Sequence, residues 1–199
     1  MNLAPFSAEF VEAVWPSLGG QAQGRLSAYS QDLLRYNRAQ NLVSRRSPEV
    51  RVAALIEECV AAGQIVDRRA LGGSWADVGS GGGVPGIILA CMFPSRSLTL
   101  IERRQGRCDF LRREARVLDL PSVDVFEGDV EDWRGPPFDV VFAKAVANPG
   151  QIESLCARVV GQQLLVFGRP DDQVADGWEL EWSEPLPGAN SVLRSLTRS

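Results

Sequence analysis

Ala76-Asp77-Val78-Gly79-Ser80-Gly81-Gly82-Gly83-Val84-Pro85-Gly86 is the stretch that decides the fold. Five glycines fall between positions 79 and 86. They follow a short apolar run, residues 75–78, predicted as a strand, and they open an apolar run, 85–93, predicted as a helix. Glycines between strand and helix let the backbone close on a ligand and adopt dihedrals barred to other residues. The segment therefore reads as a ligand-binding loop rather than a flexible turn.

Downstream, the pattern is strand alternating with helix. Strands are predicted at 98–101, 123–126, 138–143 and 163–167, with helices at 106–118 and near 151–160. Such alternation implies βαβ units and a parallel sheet covered on both faces. The tail differs: 178–182 and 191–197 alternate apolar and polar around Pro185, Pro187 and Gly188, which predicts an antiparallel pair closing the sheet. Upstream, the first seventy residues read as helical. Ser7 caps a short helix, a second covers 22–39, and a third starts at Pro48 with Val52, Leu55, Ile56, Cys59 and Val60 on one face. Gly63 is its candidate stop. The chain has neither an internal repeat nor a low-complexity segment.

The ligand is narrowed by acidic residues. Gly81-x-Gly83-x-x-Gly86 matches the dinucleotide fingerprint, and Glu102 lies 21 residues after Gly81, where a carboxylate accepts ribose hydroxyls. That arrangement suits NAD or S-adenosylmethionine. Asp77 favours the second, because a pyrophosphate has no use for a nearby negative charge while a cationic amino-acid tail does. NAD and flavin remain the alternatives. Asp129, Val130 and Glu131 follow the third strand, where a carboxylate and a backbone amide can read an adenine ring. Asp129 and Glu131 also fit a solvated acidic turn that starts a helix. Lys144, just past the fourth strand, is the best candidate for orienting the cofactor, with a surface cation as the plain reading.

Composition excludes much else. The 199 residues are 45% hydrophobic, with 21 basic against 25 acidic side chains and a net charge of −4, which fits one compact domain with a small helical extension. There is no histidine, so Ser-His-Asp and Cys-His catalysis and histidine-ligated metals are ruled out. Cys59, Cys91, Cys108 and Cys156 form no C-x-x-C, so no metal site is expected. Lys144 is the single lysine; the other 20 basic residues are arginines. Residues 1–15 carry Glu9 and Glu12 and no basic start, unlike a signal peptide. The longest apolar run, 87–93, is far below the roughly 20 residues of a membrane span. A cytoplasmic, reduced monomer is expected.

Several segments together resemble a known family. The loop with its Val84-Pro85-Gly86 ending is similar to that of the small-subunit ribosomal RNA guanine-N7 methyltransferases, also called the glucose-inhibited division protein B family. Tyr36-Asn37 through Asn41-Leu42-Val43-Ser44 resembles the family's aromatic-Asn and Asn-Leu-Thr element. Gly106-Arg107 to Arg112 resembles its basic helix, and Phe138-Asp139 with Ala143-Lys144-Ala145-Val146-Ala147 its Phe-Asp and Arg-Ala-Phe-Ala strand end. The resemblance spans about 22–168. It implies a class I S-adenosylmethionine-dependent methyltransferase: α/β, Rossmann-like, with a mostly parallel seven-stranded sheet. A helical extension over 1–70 would precede a core over 71–199.

The resemblance also places cofactor contacts on Gly79, Val84, Val130, Glu131 and Lys144, beside Asp77, Gly81, Glu102 and Asp129 from the residue reading. It implies ribosomal RNA, in the small ribosomal subunit, as partner. The chain departs from the pattern in places. Lys144 replaces an arginine, which keeps charge and loses the fork. Ala54 and Leu55 replace an Arg-His pair, Glu58 and Cys59 an Asp-Ser pair, Asp129 a basic residue, and Phe167 a lysine. Arginines still cluster at 35, 38, 45, 46 and 51 and at 103, 104, 107, 112, 113 and 116. These are RNA-facing candidates or solvated helix surface.

Guanine N7 carries a free lone pair, so methylation there asks for positioning rather than a general base. An enzyme without histidine fits. The alternatives are a methyltransferase with another acceptor, faintly suggested by Asn148-Pro149, and a non-catalytic RNA-binding paralogue, suggested by Ala54, Leu55 and Phe167.

Overall fold

Trp75–Val78 forms β1, with all four residues buried, as a strand covered on both faces requires. The computed structural model describes residues 7–40, 42–43, 46–145, 151–188 and 190–199. Asn41, Ser44, Arg45 and the 146–149 stretch of the readings above lie outside the described residues.

Three helices precede the sheet: α1 (Ala8–Val14), α2 (Gly20–Gln40) and α3 (Pro48–Arg68). Ser7 caps α1, its Oγ accepting from the Phe10 N–H at 3.2 Å. Pro48 opens α3 in the first turn, where its missing N–H is harmless. After β1 come α4 (Gly86–Met92), β2 (Leu98–Glu102), α5 (Gln105–Val117), β3 (Val123–Glu127) and a 3₁₀ turn (Val130–Asp132). Then follow β4 (Phe138–Lys144), α6 (Gln151–Cys156), β5 (Val160–Gly168), β6 (Trp178–Pro185) and β7 (Val192–Arg198).

The strands form one seven-stranded sheet in the order β3-β2-β1-β4-β5-β7-β6. The first five are parallel, and β7 runs antiparallel to both β5 and β6. Strand order reverses between β1 and β4, which opens a crevice at their carboxyl ends. One face of the sheet packs against α1–α5 and the other against α6 and the 3₁₀ turn. Apolar packing runs across residue 70: Leu26, Tyr29, Val60 and Val66 share a cluster with Trp75, Leu100 and Phe142. Trp75 anchors it, with the rings of Phe93 and Phe142 at 5.2 and 5.3 Å.

Two boundaries differ from expectation. Gly63 does not stop α3, which runs on to Arg68. A Cβ there would lie 2.5 Å from Met92 Cε and 3.1 Å from the Trp15 ring, so this glycine serves the close approach of α3 to α4 and α1. The helix expected near 151–160 ends at Cys156, because the chain from Val160 already pairs with Phe138 of β4.

Candidate cofactor site

The glycine loop is held from behind. The N–H groups of Gly79 and Ser80 donate to Ile101 O at 2.9 and 3.1 Å, extending the β1–β2 pairing into the loop. Gly79, Gly81 and Gly83 have φ of 72°, 56° and 92°, in the left-handed region that favours glycine. A Cβ on Gly83 would meet Ile87 Cγ1 at 2.6 Å. From α2, the Tyr29 hydroxyl donates to Gly82 O at 2.6 Å, so the N-terminal helices form the loop's back wall.

In front lies a cavity of about 300 Å³ at the ends of β1, β2 and β3. Gly79, Glu102, Asp129 and Val130 line it, together with Val78, Ala145 and the arginines 103, 104 and 107. Glu102 is its organising side chain. Its Oε2 accepts the Gly81 N–H at 3.0 Å, its Oε1 accepts the Arg104 N–H at 2.9 Å, and Arg107 Nη1 lies 3.7 Å from Oε2. Each carboxylate oxygen accepts two bonds, so Glu102 keeps capacity for the paired hydroxyls of a ribose. Asp129 caps the 3₁₀ turn through the Glu131 N–H at 3.4 Å and lies 3.7 Å from Arg103 Nη1. Val130 is buried while Glu131 is exposed. The turn-starting role and a place on the cavity thus coexist in Asp129.

Other predicted residues sit elsewhere. Asp77 lies behind the loop: its Oδ2 accepts the Gly86 N–H at 3.0 Å, and its buried Oδ1 has no partner. Burial pushes its carboxyl up to about 7, partly opposed by the Gly86 bond. Asp77 is a brace from β1 to α4 rather than a lining group. Gly81 touches the site through Glu102, and Val84, half-buried, packs against the core and does not line the cavity.

Lys144 is also off this cavity. It pairs with Glu58 of α3, both side chains nearly buried at 12% and 13% exposure. Ser191 donates to the other Glu58 oxygen, and the Phe167 ring centroid lies 4.6 Å from Lys144 Nζ. This cation, expected to orient the cofactor, ties α3 to the end of β4.

The cavity arginines belong to the second arginine cluster of the sequence, an RNA-facing candidate or solvated helix surface. That cluster divides: 103, 104 and 107 line the cavity, while Arg112 pairs with Glu127 at 2.8 Å and Arg113 with Asp32 at 2.7 Å. Arg107 follows Glu102 by five residues, one turn into α5, which was the available signal. Ala54 is exposed and Leu55 buried, so the second departure is filled by apolar packing. Among the described residues no cluster of His, Cys, Asp or Glu fits a metal, and no helix is long and apolar enough to cross a membrane.

The family model for rRNA small subunit methyltransferase G, GidB, matches residues 22–173. The ribosomal RNA small subunit methyltransferase G of Pseudomonas paraeruginosa is 32% identical over 148 residues, covering 74% of this chain and 68% of that protein. Its counterpart in Erwinia tasmaniensis is 30% identical over 178 residues, 85% of each chain. Among solved structures, magnesium protoporphyrin IX methyltransferase from Synechocystis PCC 6803, with bound SAM, superposes with a TM-score of 0.62 at 10% identity, covering 86% of this chain and 97% of that one. That likeness shows the fold, a class I methyltransferase. The chain belongs to the rRNA small subunit methyltransferase G family.

Proposed function

We propose that this protein transfers a methyl group from S-adenosylmethionine to N7 of a guanine in small-subunit ribosomal RNA. The observation that carries the reading is one cavity bringing together the glycine loop, Glu102 and Asp129-Val130. The donor set fits the cofactor: a carboxylate with spare lone pairs for ribose hydroxyls, and a carboxylate beside a backbone amide for the adenine edge. The volume, about 300 Å³, is at the lower end of small-molecule clefts.

Bound S-adenosylmethionine supplies a sulfonium methyl: the N7 lone pair forms the new N–C bond, the S–C pair stays on sulfur, and no proton has to leave. The chain's own work is placement. Glu102 fixes the loop through Gly81 and holds the ribose side, while Arg107 partly neutralises that carboxylate. Asp77 and Tyr29 keep the loop's backbone rigid. Holding the reactants in line supplies most of the rate when no acid or base is needed.

The test is transfer of labelled methyl to small ribosomal subunits from a strain lacking the family enzyme, followed by digestion to nucleosides. Label in 7-methylguanosine is expected. Label in protein, in another nucleoside, or nowhere contradicts the function.

A further inference from the structure

Ala145 borders two cavities. One is the cofactor site; the other, about 410 Å³, lies between α6 and the carboxyl end of β5, with β7 beside it. Four charged side chains line the second: the exposed Arg169, the half-buried Asp172, and the buried Glu153 of α6 and Arg194 of β7, only 3% and 4% exposed. Arg194 pairs in register with Val166, which packs with Ile152 and Cys156 of α6, so the guanidinium is on the α6 face of the sheet. Glu153 Oε2 and Arg194 Nε are buried without a hydrogen-bond partner, and no ion pair joins the two side chains.

Burying an unpaired charge is strongly unfavourable. A fold that keeps two of them beside one cavity has positioned them for something that arrives later. Ala145 adds a second sign: it is a non-glycine residue at φ 54°, between the two cavities. Backbone held in that region is strained and concentrates at functional sites.

The pattern of the orphaned groups identifies the guest. A carboxylate offers acceptors only, and a guanidinium donors only. The Watson–Crick edge of guanine presents two donors, the 2-amino group and N1–H, next to one acceptor, O6. Adenine reverses this order. A guanine held by that edge leaves N7, on the adjoining Hoogsteen edge beside O6, uncovered to face the methyl donor across Ala145. Enzymes acting on a base extrude it into such a pocket and read that same edge.

On the strength of the guanine-methylating function above, we propose that the cavity between α6, β5 and β7 is the acceptor-base pocket. Glu153 accepts from N1–H and the 2-amino group, and Arg194 donates to O6. Methylation at N7 places positive charge on the base and makes N1–H a stronger donor. The Glu153 contact therefore tightens as the methyl moves and favours the transition state over the ground state.

The experiment measures methylation of vacant small subunits by wild type, Glu153→Gln, Glu153→Asp and Arg194→Met, with cofactor affinity and thermal unfolding alongside. Glu153→Gln is expected to lower kcat/KM about 100-fold, as loss of one transition-state contact does. Glu153→Asp should recover part of it. All variants should bind S-adenosylmethionine within about threefold of wild type. Glu153→Gln and Arg194→Met should melt no lower than wild type, since each removes an unpaired buried charge. Lower melting with weaker cofactor binding would make both residues structural and overturn the pocket. Loss of activity in Arg194→Met with none in Glu153→Gln would make it an anion site instead. Wild type that labels RNA as well as Glu153→Gln does brings down the pocket alone; wild type that labels no RNA brings down the function and the pocket with it.

Discussion

The two cavities on either side of Ala145 are built by opposite means. Around the first, every feature is close in sequence or joined by backbone: the loop bonds to β2, Glu102 bonds to Gly81 and Arg104, and Asp129 bonds to its own turn. Around the second, the two buried charged groups come from α6 and β7, and Glu153 Oε2 and Arg194 Nε are left unsatisfied. A site completed within the chain is ready for a small ligand that is always present. A site with open valences waits for a partner to complete it. The contrast also locates Lys144: it belongs to neither cavity and serves as a strut to Glu58.

The largest expected effect separates the first cavity from everything else. Glu102→Ala removes the proposed ribose acceptor and frees two loop amides, so calorimetry should show at least about 100-fold weaker S-adenosylmethionine binding. An unchanged affinity would mean the cofactor sits elsewhere.

Lys144 comes next. Removing one member of a buried pair leaves the other charge stranded, at about 3–5 kcal/mol. Lys144→Met should lower the melting temperature by roughly 2–4 °C per kcal/mol for a chain of this size and leave cofactor affinity within about threefold. The double variant Lys144→Met, Glu58→Leu should regain most of the stability. A large loss of cofactor affinity in Lys144→Met, at normal stability, would return this lysine to the cofactor site.

A pH effect distinguishes the brace from the lining. The Asp77 carboxyl is held up at about 7 by burial, against an ordinary value of 3.8. Between those values the folded state holds a proton that the unfolded chain has released. Its contribution to stability is therefore present below pH 4 and fades as pH rises towards 7, at roughly 1.4 kcal/mol per pKa unit. Denaturant midpoints should fall from pH 5 to pH 7.5 in wild type and fall less in Asp77→Asn. Equal slopes would show that Asp77 does not titrate there. The smallest effect is expected for Gly83→Ala, about 1–3 kcal/mol from positive φ and the Ile87 contact, read by thermal unfolding.

Much of the first cavity was legible because its signals are local. A strand, five glycines, a helix and an acidic residue at the next strand's end survive as a pattern in one dimension. The sheet was legible for the same reason, down to the antiparallel closing pair. The second cavity was not. Arg194 reads as one polar residue in an alternating tail strand, and only the placement of β7 between β5 and β6 buries it. Glu153 reads as an ordinary first-turn acid of a short helix. Lys144 drew notice as the single lysine, yet its partner stands 86 residues away on α3, beyond any spacing rule. Gly63 reads as a stop because nothing local announces that Met92 and Trp15 press against that turn of α3.

The division of labour between the cavities is tested most directly by a crystal structure of the protein soaked with S-adenosylhomocysteine. The adenosine is expected between Glu102 and Asp129, with the ribose hydroxyls on the Glu102 carboxylate and the Glu153–Arg194 cavity left free. Nucleoside density against Glu153 and Arg194, with Glu102 still bonded only to Gly81 and Arg104, would contradict the account.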